Sequence, residues 1–320
     1  MSTASFALLL LSFVAPADSA LRRHTFREVH LGVEVRITAW APNDSQAADA
    51  ARQAFAEVAR LEDVFSDWRP GSEARRLEGA VGRWQRISPE LCDVLAVALR
   101  VARASQGAFD PTLGPLTHLW RAARARGVPP SPGELSAARE ASGYRWLDLD
   151  TVGRRIRLRR AGMRLDLGGI AKGYILQQAV GVLARAGITS VLVEGGGDLV
   201  AGAPPPQQAG WMIAAPYADS ELAERAAALT NVALATSGPV EQFMDVNGRR
   251  ESHIIDRATG HGVRSSRVAT VIGTDAALVD ATATALTVLP DRAGQRLLRQ
   301  LGLVGSVLIP PDNGSREPAR

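Results

Sequence analysis

The chain has one cysteine, one lysine and no apolar run long enough to cross a bilayer. Each scarcity removes a class of explanation. A single cysteine, Cys92, permits no internal disulfide and no thiolate metal site. Set in LCDVLAVALRVA, a helical apolar pattern, it is read as a small core residue. No block of five or six like charges occurs, and the net charge is +4 over 320 residues. The sequence therefore shows no concentrated basic patch of the kind nucleic-acid binding requires. RRIRLRR (154–160) alternates with apolar residues and predicts a strand with one solvated side. Familiar nucleotide signatures are missing too. LGGIAKGY lacks the spacing and Ser/Thr of a P-loop, and GGGDLVAG does not fit the dinucleotide fingerprint.

Of the 37 basic residues, Lys172 is the single lysine and the rest are arginine. Genome composition accounts for the general loss of lysine but not for the one retained inside a glycine-rich turn. A compact ammonium on a flexible stem does work that a planar guanidinium cannot always do. At the N-terminus, FALLLLSFVA (6–15) has the length of a signal-peptide apolar region, with Ala17 and Ser19 suited to cleavage. A charged segment before it is missing, and no cysteine follows it for acylation. The expectation is a signal peptide over 1–19, one domain over 20–320, and a periplasmic or exported protein, with association to the inner membrane left open.

Apolar content of 46% and charged content of 22% are those of a folded globular chain. Strands are predicted over 31–40 and 155–160, in MRLDLGG (163–169) and over 267–274, and SVLVEGGGDLVAG (190–202) reads as a buried strand running into a glycine turn. Helical spacing follows a cap at Asn43 or Asp44, and a second helix begins at Ser88 with Pro89 in its first turn and runs to about Ser105. GVPPSPGE (127–134) is an exposed connection, and helices are predicted over 169–187, in AALVDATATALTVL and in DRAGQRLLRQLG. No repeat of fixed period appears. The fold class is α+β, a single unit with mixed, largely antiparallel sheets and packed helices.

Polar residues in apolar or glycine-rich settings are the candidates for chemistry. RLDLGGIAKG puts Asp166, a glycine pair and Lys172 close together, and EGGGD sets Glu194 and Asp198 around three glycines. SHIIDRATG couples His253 to Asp256 and a turn. In LVDATATALTVL, Asp280 and Thr284 are four apart and share one helix face. A carboxylate with a hydroxyl is a hard oxygen pair suited to a Mg²⁺ that keeps water and substrate phosphates. A helix cap at Asp280 is the alternative, but a buried aspartate without a partner costs several kcal/mol as an order of magnitude, and a cation resolves that.

In order and spelling these segments resemble the ApbE-type FAD:protein FMN transferases over residues 27–310. The family's succession appears here as LGV, FSDWRPGSE, GAFDPT, DLGGIAKGY, GGGD, TSG, HIIDRATG and DATAT. The resemblance implies FAD contacts at Leu31, Trp68, Ala108, Phe109, Asp110, Asp166, Lys172 and His253, with Trp68 against the flavin ring. It implies Mg²⁺ held by the Gly169 carbonyl, the Asp280 carboxylate and the Thr284 hydroxyl. There are departures. Leu31 and Val33 stand where methionine and threonine are usual, Glu78 and Glu194 replace asparagines, and Arg257 replaces a proline.

The implied reaction joins the FMN half of FAD to a Thr or Ser hydroxyl of an exported or membrane-bound acceptor protein and releases AMP. His253 is the candidate base, oriented by Asp256, and Lys172 the candidate stabiliser of phosphate charge. A hydrogen-bonding role in its turn is the alternative for His253. Two rival functions stand beside it: a Mg²⁺-dependent FAD pyrophosphatase, which uses the same residues, and an exported flavin binder without catalysis, which would have no need of the Asp280–Thr284 pair.

Overall fold

The computed structural model describes residues 21–309 apart from 216, 239–242, 247–248 and 264–265, so the expected signal peptide lies outside the described residues. Strands β1 (Arg22–His30) and β2 (Val33–Ala41) form an antiparallel hairpin. Only β2 shows the alternation expected of a half-buried strand. β1 is a sheet edge, exposed along most of RRHTFREVH, and so carries no strand pattern. Helix α1 (Asp44–Phe65) is capped by Asn43, whose Oδ1 accepts from Gln46 N at 2.9 Å. After α2 (Glu73–Arg76) and β3 (Gln85–Arg86), α3 (Pro89–Ala104) begins behind Ser88 with Pro89 in its first turn, as the sequence predicts. Helix α4 (Gly114–Arg126) ends on Gly127 in the left-handed region. Helix α5 (Pro132–Glu140) opens with a Ser131–Glu134 capping box, so the connection expected to reach 134 stops at 131.

Strands β4 (Leu147–Asp150) and β5 (Arg155–Leu158) join β3 in a small antiparallel sheet. MRLDLGG is not a strand. Asp166 N donates to Pro111 O at 2.8 Å instead, and Gly114 lies against Arg164 and Leu165, so the segment is an extended connector fixed to a neighbouring loop. Then come α6 (Ala171–Arg185), β6 (Val191–Gly195), β7 (Asp198–Ala201), α7 (Ser220–Ala226) and β8 (Val232–Ser237). Two short hairpins follow, β9 (Phe243–Val246) with β10 (Arg249–Ser252) and β11 (Ile255–Asp256) with β12 (His261–Gly262). The chain closes with β13 (Val268–Gly273), α8 (Ala276–Val288), α9 (Asp291–Leu301) and β14 (Val304–Leu308).

The main sheet has the order β1-β2-β6-β7-β8-β13-β14, and each of its described pairings is antiparallel. Period two divides its side chains. Val191, Val193, Ala233 and Ala235 face the large core under α1, α3, α6 and α8, whereas Leu192, Leu199 and Leu234 face Trp211, Ala226 and Leu229 on the other side. Ile175, Leu176 and Leu183 of α6 are wholly buried and contribute about 2 kcal/mol each. No helix among the described residues is long and apolar enough to cross a membrane.

The approach of α6 to α8 sets the floor of the cavity that Lys172 and Asp280 line. A Cβ on Gly173 would stand 2.1 Å from the Ala276 carbonyl oxygen, so the two helix starts meet backbone to backbone. On the same helix a Cβ on Gly181 would meet only the tip of Arg185, at 3.4 Å. Gly181→Ala should therefore raise stability by up to about 1 kcal/mol through helix propensity. Gly173→Ala should lower it by about 1–3 kcal/mol despite the same propensity gain. Urea unfolding of both variants checks this, and equal effects would contradict the packing argument.

Candidate active site

A cavity of about 600 Å³ opens between α1, α6, α8 and the loops around residues 66–68, 108–113 and 166–169. Leu31, Trp68, Ala108, Phe109, Asp110, Asp166, Gly169, Lys172, His253, Asp280 and Thr284 all line it. Residues from six separate stretches of sequence thus meet in one place.

The rim is built from loops whose backbone is held by side-chain oxygens. Leu31 and Gly32 turn the first hairpin with φ of 55° and 74°, the mirror-image geometry of a two-residue connection. A leucine in that region is uncommon and marks a position held by its surroundings. His30 beside it stacks on Phe55 and lies 3.8 Å from the buried Glu62 carboxylate. The other Glu62 oxygen is 3.2 Å from Arg69 Nη2, and the Arg69 guanidinium covers Trp68 at 5.4 Å. Glu62 thereby joins the hairpin tip to the tryptophan loop. Ser66 Oγ accepts from Trp68 N and Arg69 N, leaving the indole 61% exposed at the cavity mouth.

Asp110 lines the cavity, and its carboxylate is also bonded to the loop around it. Its Oδ1 accepts from Thr112 N at 2.9 Å and Thr112 Oγ1 at 2.6 Å, and its Oδ2 from Tyr144 N at 2.9 Å. Burial pushes its carboxyl above the usual range, against those hydrogen bonds. The carboxylate organises the loop. Arg257, at the position where the family has proline, lies 3.6 Å from the same oxygen and donates to Ser142 O at 2.9 Å. The departure ties the turn after His253 to the Asp110 loop. Asp256 Oδ1 accepts from Ala258 N at 2.8 Å and so shapes that same turn. His253 is exposed to the cavity just before β11. Glu78, another departure, is engaged by Arg75 at 3.1 Å and Arg164 at 3.5 Å. Glu194 pairs with Arg36 at 3.6 Å and does not line the cavity.

The floor is a buried charge cluster. Lys172 Nζ lies 2.5 Å from Asp198 Oδ2 and donates to Gly196 O at 3.2 Å. Gly196 and Gly197 turn β6 into β7 with φ of 52° and 86°, which brings that carbonyl over the ammonium. Asp280 Oδ2 accepts from Gly173 N at 3.0 Å, the bond made possible by the close helix approach. Asp280 and Asp198 are each 4% exposed. Burial pushes both carboxyls up. Lys172 draws Asp198 back down, and Asp280, further raised by Asp198, reaches about 7. Burial works against the Lys172 ammonium, but Asp198 and Asp280 outweigh it and raise its pKa. The sequence places Asp198 beside glycines but gives no sign that it is the lysine's partner. Arg121 lies outside every motif; its pairing with Asp67 of the FSDWRPGSE turn, on the cavity wall close to Asp166, is found only in the fold.

The donors on α8 fit a hard cation. Thr282 and Thr287 return their hydroxyls to carbonyls of their own helix, at 2.6 and 2.8 Å, whereas the Thr284 hydroxyl makes no hydrogen bond among the described residues. A Cβ on Gly169 would stand 2.9 Å from Thr284 Oγ1, so the glycine backbone and the hydroxyl share one small space. No cluster of three His, Cys, Asp or Glu able to hold a metal occurs among the described residues. One carboxylate, one hydroxyl and a nearby carbonyl suit Mg²⁺, which keeps water and substrate phosphates in its shell, and not a metal that needs imidazole or thiolate.

The ApbE family profile matches residues 31–307. The chain belongs to the ApbE family. Among its curated relatives, the FAD:protein FMN transferase of Chlamydia trachomatis is 30% identical over 89% of this chain and 90% of its own. That of Treponema pallidum is 29% identical over 93% and 88%. The apo flavinyl transferase ApbE of Pseudomonas stutzeri superposes with a TM-score of 0.76 at 26% identity, covering 89% of this chain and 90% of that one. The α+β architecture expected from the sequence is that of the solved ApbE structures.

The buried Asp280 makes stability depend on pH. Its folded-state pKa of about 7 lies above the ordinary 3.8, so the folded state binds the proton more tightly. That contribution is fully present below pH of about 4 and is lost as pH rises through about 7. In chelator, the stability of the native protein relative to Asp280→Asn should fall between pH 5 and pH 8 by an amount on the order of 2–4 kcal/mol. Thermal or urea unfolding at both pH values measures it, and a pH-independent difference would overturn the assignment.

Proposed function

We propose that this ApbE-family chain is a Mg²⁺-dependent enzyme that transfers the FMN moiety of FAD to a Thr or Ser hydroxyl of an acceptor protein and releases AMP. One observation carries the reading. The free Thr284 hydroxyl, the Asp280 carboxylate and Lys172 converge on the floor of a cavity whose mouth bears an exposed tryptophan. The names of its relatives, FAD:protein FMN transferases, give the same substrate pair.

Asp280, Thr284 and the Gly169 carbonyl would hold Mg²⁺, which when bound offsets the charge of the FAD pyrophosphate. Lys172 adds a positive charge close to Asp280, and its tether to Asp198 fixes its position before substrate arrives. Trp68 offers an aromatic face for the flavin ring. Leu31 and Phe109 supply apolar walls. His253, exposed at the cavity, takes the proton of the acceptor hydroxyl as its oxygen attacks the FMN phosphorus. The bond from that phosphorus to the bridging oxygen breaks, and AMP leaves with the oxygen. An acceptor at or outside the cytoplasmic membrane follows if the N-terminal segment directs export.

The purified protein, FAD, Mg²⁺ and an acceptor domain bearing a threonine should yield a fluorescent acceptor band on a denaturing gel. Release of AMP and FMN without labelling would mark a pyrophosphatase, and neither product would mark a flavin binder. Asp280→Ala should lower labelling by at least about a hundred-fold, the scale of one lost electrostatic stabiliser. Trp68→Ala should raise KM for FAD roughly ten-fold with kcat little changed, because stacking acts on ground and transition states alike. A loss confined to kcat would place Trp68 elsewhere in the mechanism.

A further inference from the structure

The β3-β5-β4 sheet stands apart from the main one, and its solvent side is built of arginine and tryptophan. Segments 83–86 and 145–160 hold eight arginines and two aspartates, a surplus of six positive charges. The whole chain has a surplus of four, so everything outside these segments is net acidic by two. The absence of a basic patch expected from the sequence is corrected here: the fold gathers one from two distant, interrupted stretches.

The patch has a fixed geometry. Ile156 and Leu158 face the core, which turns Arg155 and Arg157 outward. Their guanidinium groups cover Trp84 at 5.3 and 4.8 Å, and those of Arg159 and Arg160 cover Trp146 at 5.4 and 3.8 Å. Asp148 links the two stacks, 2.7 Å from Arg157 and 3.9 Å from Arg159, and Asp150 engages Arg155 at 2.6 Å. Arg83, Arg86 and Arg154 make no ion pair among the described residues, and Arg86 lies directly across the ladder from Arg155. Asp150 already answers Arg155, so of this like-charged pair Arg86 is the one left without an anion. Arg86 and Arg154 flank an open cleft of about 330 Å³, and Val152 at the hairpin tip beside it is 95% exposed. None of these residues lines the larger cavity.

We propose that this face docks on an anionic lipid bilayer, with a headgroup phosphate between Arg86 and Arg154 and with Val152 and Trp84 entering the interfacial layer. A plane of phosphates directly above hydrocarbon meets both demands of the patch at once, unpaired cations and an apolar tip. Nucleic acid is the poorer match, since guanidinium groups already occupy faces of both tryptophans that bases would stack on.

The full chain is sedimented with vesicles of phosphatidylcholine alone or mixed with phosphatidylglycerol, at low and physiological salt. Binding should require phosphatidylglycerol and weaken with salt. Each arginine neutralised should cost about five-fold, so R83Q/R86Q/R154Q should lose about a hundred-fold. V152D, a change at an exposed tip, should weaken binding independently should the triple variant fold poorly. Flavin transfer to a soluble acceptor should be unchanged in both. Absence of binding to anionic vesicles at low salt would overturn the proposal. So would equal binding to neutral vesicles, which the apolar N-terminal run would produce, or affinity for an oligonucleotide above that for vesicles.

Discussion

A half-buried lysine facing two buried carboxyls is the constraint around which the rest of this molecule is arranged. Lys172, Asp198 and Asp280 come from α6, β7 and α8, and together they cannot reach neutrality without either a proton or a further cation. Apolar side chains in their place would be at least as stabilising, because desolvation consumes most of what buried ions gain from each other. The cluster is therefore poorly explained as a stabilising device and well explained as a poised charge deficit. It also dictates packing. Gly173 must lack a side chain for α6 to reach α8, and that same approach lets its N–H hold Asp280.

Floor and rim solve different problems. The floor rests on helices and a strand in the main core, where rotamers are fixed by surrounding side chains. The rim is loop, and its order comes from polar side chains bonded to backbone: Asp110 to Thr112 and Tyr144, Asp166 to Gly168, Ser66 to Trp68 and Arg69. A carboxylate that satisfies two or three N–H groups fixes a loop without occupying the cavity. Asp110 in this way supports Ala108 and Phe109 from a position on the cavity wall.

How much of this was legible in the sequence depended on whether a residue's role was local. Caps at Asn43 and Ser88 follow from neighbours a few positions away, and so does the Asp280–Thr284 stripe on α8. The family motifs brought distant residues to one cavity because their order is itself a record of the fold. Edge strand β1 left no pattern, since neither face is fully buried. MRLDLGG alternates like a strand, yet its N–H groups are taken by a loop. The Arg121–Asp67 pair, the Glu62 link between His30 and Arg69, and the arginine face all depend on side chains meeting across the fold, and no spacing rule announces them.

The single lysine now has a physical account. On the surface this chain uses arginine throughout, and the planar group suits that use by stacking on Trp84 and Trp146 while bonding carboxylates. At the cavity floor the requirement is the opposite. The cation must end in a small tetrahedral group that reaches Asp198 and the Gly196 carbonyl at once while Asp280 lies close by. A guanidinium would need a wider space, and its forked N–H groups would be left partly unsatisfied beneath the substrate. The composition bias that replaced lysine elsewhere stops where geometry admits nothing else, which makes the retained residue evidence about the site and not about the genome.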